Sequence, residues 1–119
     1  MNAESALRAL CTAWEELDPD GVARLFTEDG RYEDPLFSPT PVGPVAIREA
    51  CAPAIEDLAE VRNPMRVVLA TDQLVVAEGE FLSETNDGKR LDFPLVMILE
   101  MRDGLIARFA EYFDTAPLR

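Results

Sequence analysis

Residues 25–49, LFTEDGRYEDPLFSPTPVGPVAIRE, are the stretch whose reading decides the fold. They place an acid, Asp34, at the end of a short extended run, Arg31–Asp34, which Pro35 must close because proline has no N–H to give a sheet ladder. Tyr32 and Asp34 are two apart, so on a strand both point to the same face. A phenol and a carboxylate aimed together at the mouth of a sheet form a donor-plus-base pair wherever that face is enclosed. The loop from Pro35 to Pro44 holds four of the nine prolines and is stiff, since each fixes its own φ and restricts its predecessor. A helix is expected to begin near Val45.

Upstream, Leu7, Leu10, Cys11, Trp14 and Leu17 recur at three- and four-residue steps and predict a helix over residues 3–17. Asp18 reads as an N-cap with Pro19 at the first helical position, opening a short second helix through Phe26. Downstream, Ile47, Ala50, Cys51, Ala54, Ile55 and Leu58 form a third helical stripe, with a kink or break expected at Pro53. After Pro64 the period shortens. Val67–Ala70, Leu74–Thr85, Lys89–Arg102 and Leu105–Phe113 read as strands, separated by Thr-Asp, Asn-Asp-Gly and Asp-Gly turns. The expectation is three helices, then a four-stranded antiparallel meander with Arg31–Asp34 added at an edge. Residues 1–119 form one domain, without repeats or low-complexity segments.

Charge and composition narrow the function classes. Twenty-three acidic against eleven basic residues give a net charge of −12, which argues against nucleic acid and anionic membrane as partners. No apolar run approaches the roughly 20 residues of a membrane span. The amphipathic, charged N-terminus does not read as a signal peptide, so a cytoplasmic location is expected. There is no histidine, which removes the commonest general base and the commonest zinc ligand. Cys11 and Cys51 lie on apolar helix stripes and read as buried free thiols. No glycine-rich phosphate loop follows a strand, and neither a metal nor an organic cofactor is expected.

Acid–base chemistry must therefore use other groups. Glu111 shares a strand face with Phe109 and Phe113, so its carboxyl is expected to be desolvated and to hold a proton near neutral pH. Asp34, near the loop, is then the group expected to stay ionised. Two carboxyls with separated affinities for the proton make a workable acid and base. Glu78 and Glu80 share a face with Val76 and Leu82 and face either the pocket or solvent. Trp14 looks across from the first helix, as pocket wall or as ordinary core. The segment from Phe93 to Leu99 is apolar on both faces, and the helices can cover only one. A homodimer through Leu91, Phe93, Leu95, Met97 and Leu99 is the simplest expectation.

The wording LDPDGVARLF, EDG, YEDP and VGPVAIRE resembles the N-terminal half of steroid-isomerase-like proteins of the nuclear transport factor 2 superfamily. The resemblance implies an α+β fold, a cone-shaped curved antiparallel sheet wrapped around three N-terminal helices (a cystatin-like α+β barrel). In bacterial ketosteroid isomerases the aspartate of the EDP sequence moves a proton between carbons, and Asp34 stands in that place. The isomerases hold the oxyanion with a tyrosine and a protonated aspartate at positions that correspond here to Leu10 and Val96. Neither side chain is a donor, so steroid isomerisation proper is not expected, and Val96 is left as a candidate pocket residue. The run DGLIARFAEYFD resembles limonene-epoxide hydrolases and SnoaL-like polyketide cyclases. By that resemblance Tyr32, Asp34 and Glu111 take the water-positioning places, and Glu78 and Glu80 stand where those hydrolases carry an Arg-x-Asp.

The expected function is cofactor-free proton transfer in an enclosed pocket, as in an isomerase, an aldol-type cyclase or an epoxide-opening enzyme. Asp34 is the base, Glu111 the acid or water-orienting group and Tyr32 the hydrogen-bond donor. Trp14, Glu78, Glu80, Val96, Phe109 and Phe113 are the candidate substrate contacts. The ligand expected is a small apolar organic molecule carrying one or two oxygens. The alternative is a non-catalytic module of the same fold, which binds a small molecule or only dimerises.

Overall fold

The computed structural model describes residues 1–118. Helix α1 (Ala3–Glu15) starts where the Asn2 side chain accepts a hydrogen bond from the Ser5 amide at 2.9 Å. It stops two residues before Leu17, which adopts a left-handed φ of 56°. Its buried stripe, Ala3, Ala6, Leu7, Leu10, Cys11 and Ala13, follows the expected period. Asp18 caps α2 (Pro19–Ala23) by accepting from the Gly21 amide at 3.0 Å.

Helix α2 is shorter than expected because Phe26 already belongs to the sheet. Strand β1 (Phe26–Glu33) pairs Phe26 with Ile106, bulges, and resumes with Arg31 opposite Arg108. Gly30 sits in that bulge, where a Cβ would fall 2.9 Å from the Ile106 carbonyl oxygen. Helix α3 (Pro44–Glu56) carries Pro44 in its first turn and runs on through Pro53 without breaking. The chain enters a strand directly after it, β2 (Leu58–Arg62), where the periodicity had suggested only the end of a helix.

The remaining strands are β3 (Met65–Ala70), β4 (Leu74–Thr85), β5 (Arg90–Arg102) and β6 (Leu105–Tyr112). The sheet order is β1-β6-β5-β4-β2, with β3 also on β4. Strands β2 and β3 share that edge by pairing with different parts of β4, residues 82–85 and 75–79. The meander is antiparallel, whereas β1 runs parallel to β6, so the sheet is mixed at that edge. The result is the expected cone, a curved sheet around three helices.

The core lies between α1, α3 and the concave face of the sheet. Val75, Ala77, Leu95, Met97, Leu99, Ile106 and Phe109 are buried there against Leu7, Leu10, Ile47 and Cys51. Each large side chain so buried contributes roughly 1.5–3 kcal/mol. This overturns the dimer face read from the sequence. Leu95, Met97 and Leu99 are interior, and Leu91 and Phe93 line a cavity on the same side. Alternation then puts Asp92, Pro94, Val96, Ile98 and Glu100 on the outer face, where charges bracket a narrow apolar strip.

Candidate active site

The cone does not close at its wide end. A cavity of about 620 Å3 opens there, walled by α1, the loop after β1 and the concave faces of β4, β5 and β6. Its lining includes Trp14, Tyr32, Asp34, Phe109, Glu111 and Phe113, which the sequence had singled out separately. The parallel pairing of Tyr32 with Phe109 and Glu33 with Ala110 is what carries Asp34 level with Glu111.

These groups form one hydrogen-bonded chain. Trp14 Nε1 donates to the Tyr32 hydroxyl at 3.0 Å, and that hydroxyl donates to Glu111 Oε1 at 3.4 Å. Glu111 in turn hydrogen-bonds Asp34. Asp34 is fixed from the other side by the Leu36 amide, which donates to Oδ1 at 2.7 Å as the chain turns through Pro35. Among the described residues no buried side-chain nitrogen or oxygen is left without a partner.

Burial sets the protonation of this chain. Loss of solvation pushes the Glu111 carboxyl well above the ordinary range, and the hydrogen bond and charge of Asp34 raise it further. The Tyr32 hydroxyl pulls the other way and does not reverse it. Part of Glu111 remains accessible, but the space it faces is the cavity, not bulk water. Tyr32 is only 1% exposed, packed against Phe26, Phe37 and Phe109 at ring-centroid distances of 5.8, 5.2 and 5.0 Å. Its phenol is pushed up by burial first, then by Glu111, Cys51 and Asp34. Cys11 is held as a thiol, raised to about 12 chiefly by burial and then by Glu111.

The geometry corrects three of the expected contacts. Glu78 points outward and ion-pairs with Arg66, Glu80 is exposed, and Val96 is 38% exposed on the convex face. The ladder gives the reason. Glu78 pairs with Val96, whereas Ala77 pairs with Met97 and Met97 with Glu111, so Val96 and both glutamates occupy the face opposite the cavity. Tyr32 is also not a free donor, since its hydrogen is directed to Glu111.

Sequence reasoning missed part of the wall. Phe81 and Phe93, which it did not place in the pocket, form with the expected Phe113 a stacked row across β4, β5 and the end of β6, with centroids 5.2 and 4.3 Å apart. Trp14 meets Phe81 edge-on at 6.0 Å. Phe37 comes from the proline-rich loop, and Asp57, Asn86, Asp87 and Lys89 stand at the rim. The odd-numbered alternation of β5 could have found Phe93 and Met97, had its apolar face been assigned inward.

Residues 7–109 match the SnoaL-like domain family. Among curated proteins none matches the chain in sequence. Several solved structures share its fold. One is a protein of ketosteroid isomerase-like fold from Catenulispora acidiphila, crystallised with trimethylamine. It is 19% identical, with a TM-score of 0.84 over 97% of this chain and 89% of that one. A putative polyketide cyclase from Pseudomonas putida is 17% identical, with a TM-score of 0.81 over 99% and 96%. TerC, crystallised with polyporic acid, is 23% identical, with a TM-score of 0.77 over 97% and 93%. Among the described residues no helix is long and apolar enough to cross a membrane.

Proposed function

The chain belongs to the SnoaL-like domain family, and on that premise we propose that it is an acid–base enzyme acting on a small organic molecule in the cavity of its cone. The observation that carries the reading is that Asp34 and Glu111 stand together in one aromatic-walled cavity, close enough for Asp34 to act on the Glu111 carboxyl. Similar proteins crystallised with trimethylamine and with polyporic acid support a small-molecule ligand for this fold.

In the resting site Glu111 holds the proton and gives it to Asp34 as a hydrogen bond, while Asp34 is the base. The carboxylate takes a proton from a carbon next to an electron-withdrawing group, and the electron pair moves into that group. Once Asp34 is protonated it no longer holds the Glu111 proton, which is free to pass to the oxygen where charge has developed. Return of both protons, the one on Asp34 to a second carbon, completes an isomerisation. The same pair, with a bound water as the nucleophile, opens an epoxide: Asp34 takes the water's proton and Glu111 protonates the departing oxygen. Tyr32 and Trp14 are positioning residues here. They hold Glu111 so that the oxygen not bonded to Tyr32 carries the proton.

The test is a panel of ketones, imines and epoxides incubated in heavy water. Exchange or conversion by the protein and none by Asp34→Asn is the expected result. Ligands that bind without exchange or conversion would instead establish a binding module. A homodimer is proposed through the outer strip of Val96 and Ile98, beside the Arg108 side chain that pairs with Glu33 at 2.8 Å and Glu100 at 3.2 Å. Sedimentation at micromolar concentration should give the mass of two chains, and a clean monomer would count against it.

A further inference from the structure

We propose that the cavity takes an organic cation, a small and largely apolar molecule whose protonated amine or imine nitrogen sits against Asp34 and Glu111. The proposal rests on the acid–base reading of that pair and adds the class of substrate. Charge is the first argument. Among the described residues the lining carries the acids Asp34, Asp57, Asp87 and Glu111 and a single cationic side chain, Lys89, which sits at the rim just before β5 begins. Among the described residues no Lys or Arg forms an ion pair with Asp34 or Glu111. Asp34 is a half-buried carboxylate with no such counter-ion, and a ligand cation supplies what the described residues do not. The net charge of −12 draws cations toward the mouth and repels anions.

The walls are the second argument. The row of Phe81, Phe93 and Phe113, with Trp14 edge-on to Phe81, lines the approach to the pair. Aromatic faces attract organic cations and exclude water without hydrogen bonds of their own.

Donors are the third. The Trp14 N–H is engaged by Tyr32 and the Tyr32 O–H by Glu111. Among the described residues this leaves, beside the reaction centre, the proton of Glu111 itself, next to Asp34, and the weakly donating S–H of Cys11. A neutral ketone that becomes an enolate develops negative charge in a cavity that also holds Asp57 and Asp87, with the Glu111 proton as its main donor. A protonated imine runs the other way. Asp34 removes a C–H proton next to the C=N carbon, the C–H electron pair forms the C=C bond, and the C=N π pair returns to nitrogen. A cation and a carboxylate become a neutral enamine and a carboxylic acid, so charge is lost where charge is least solvated.

Benzylammonium, benzyl alcohol and benzoate have one shape and three charges, and titrating each calorimetrically into the full chain at neutral pH tests the proposal. The cation should bind about ten- to thirtyfold tighter than the alcohol, with benzoate weakest. Asp34→Asn, its fold checked by circular dichroism, should narrow the gap between cation and alcohol. Independently of any variant, added salt should weaken benzylammonium more than benzyl alcohol. Equal binding of the alcohol, tighter binding of benzoate, or no binding of benzylammonium at millimolar concentration would overturn the proposal. If it fails in this way while Glu111 still titrates high, the acid–base reading stands without the cationic substrate.

Discussion

Replacing Asp34 by Asn is expected to leave the cone folded and to remove turnover, with a loss at or beyond the top of the roughly 10²–10⁴ range of general acid–base catalysis. The asparagine keeps the shape, and its amide oxygen still accepts from the Leu36 amide, which now donates to Asp34 at 2.7 Å. What disappears is the one carboxylate, among the described residues, that acts on Glu111 by hydrogen bond and charge. A second readout follows. Desolvation is the largest cause of the high Glu111 carboxyl and survives the change, whereas the hydrogen bond and charge of Asp34 do not. Glu111 in the variant should therefore titrate lower than in the parent, yet above an exposed glutamate. Turnover with any substrate found by the exchange screen, and the carboxyl titration, measure the two effects.

Glu111→Gln is the second large effect, and it has a sign that depends on pH. The amide still accepts from Tyr32 and donates toward Asp34, but it cannot release a proton, so the rate should fall by on the order of 10²–10⁴. Stability moves the other way. The folded protein holds the Glu111 proton more tightly than the unfolded chain does, because burial raises that carboxyl. Its contribution to stability is complete below the unfolded value of about 4.3 and is lost as pH rises through the higher folded value. Glutamine carries no such penalty. The melting temperature of Glu111→Gln relative to the parent should therefore climb as pH rises from about 4.3 through the raised folded value. A difference independent of pH would mean that Glu111 is solvated.

Much of this was legible in the residues. The helical stripes of α1 and α3, the Asp18 cap and the hairpin turns are local signals, and local chemistry decides them. The pairing of Tyr32 with Asp34 and the aromatic neighbours of Glu111 were enough to bring the acid pair together, because strand alternation fixes which side chains share a face. Which of two apolar faces points inward is a tertiary matter. Phe93 to Leu99 is apolar on both, and only the docking of α1 and α3 decides that odd-numbered residues go inside. That one choice misplaced the dimer surface, and the same alternation puts Val96, named from the resemblance, and Glu78 and Glu80, left open between pocket and solvent, on the outer face. Strand β1 was read too short for a similar reason: the Thr27–Gly30 bulge interrupts a pairing with β6, which is distant in sequence. The Trp14–Tyr32 hydrogen bond joins a helix to a strand and has no signature in the spacing of either.

The central claim is that Glu111 is a neutral acid at physiological pH, hydrogen-bonded to Asp34 inside the cavity. Following the side-chain carboxyl carbons by NMR as pH is raised tests this directly and needs no substrate. The account predicts that Glu111 titrates well above the ordinary glutamate value of about 4.3 and that part of this elevation vanishes in Asp34→Asn. A Glu111 carboxyl that titrates near 4.3, unmoved by the loss of Asp34, would contradict it.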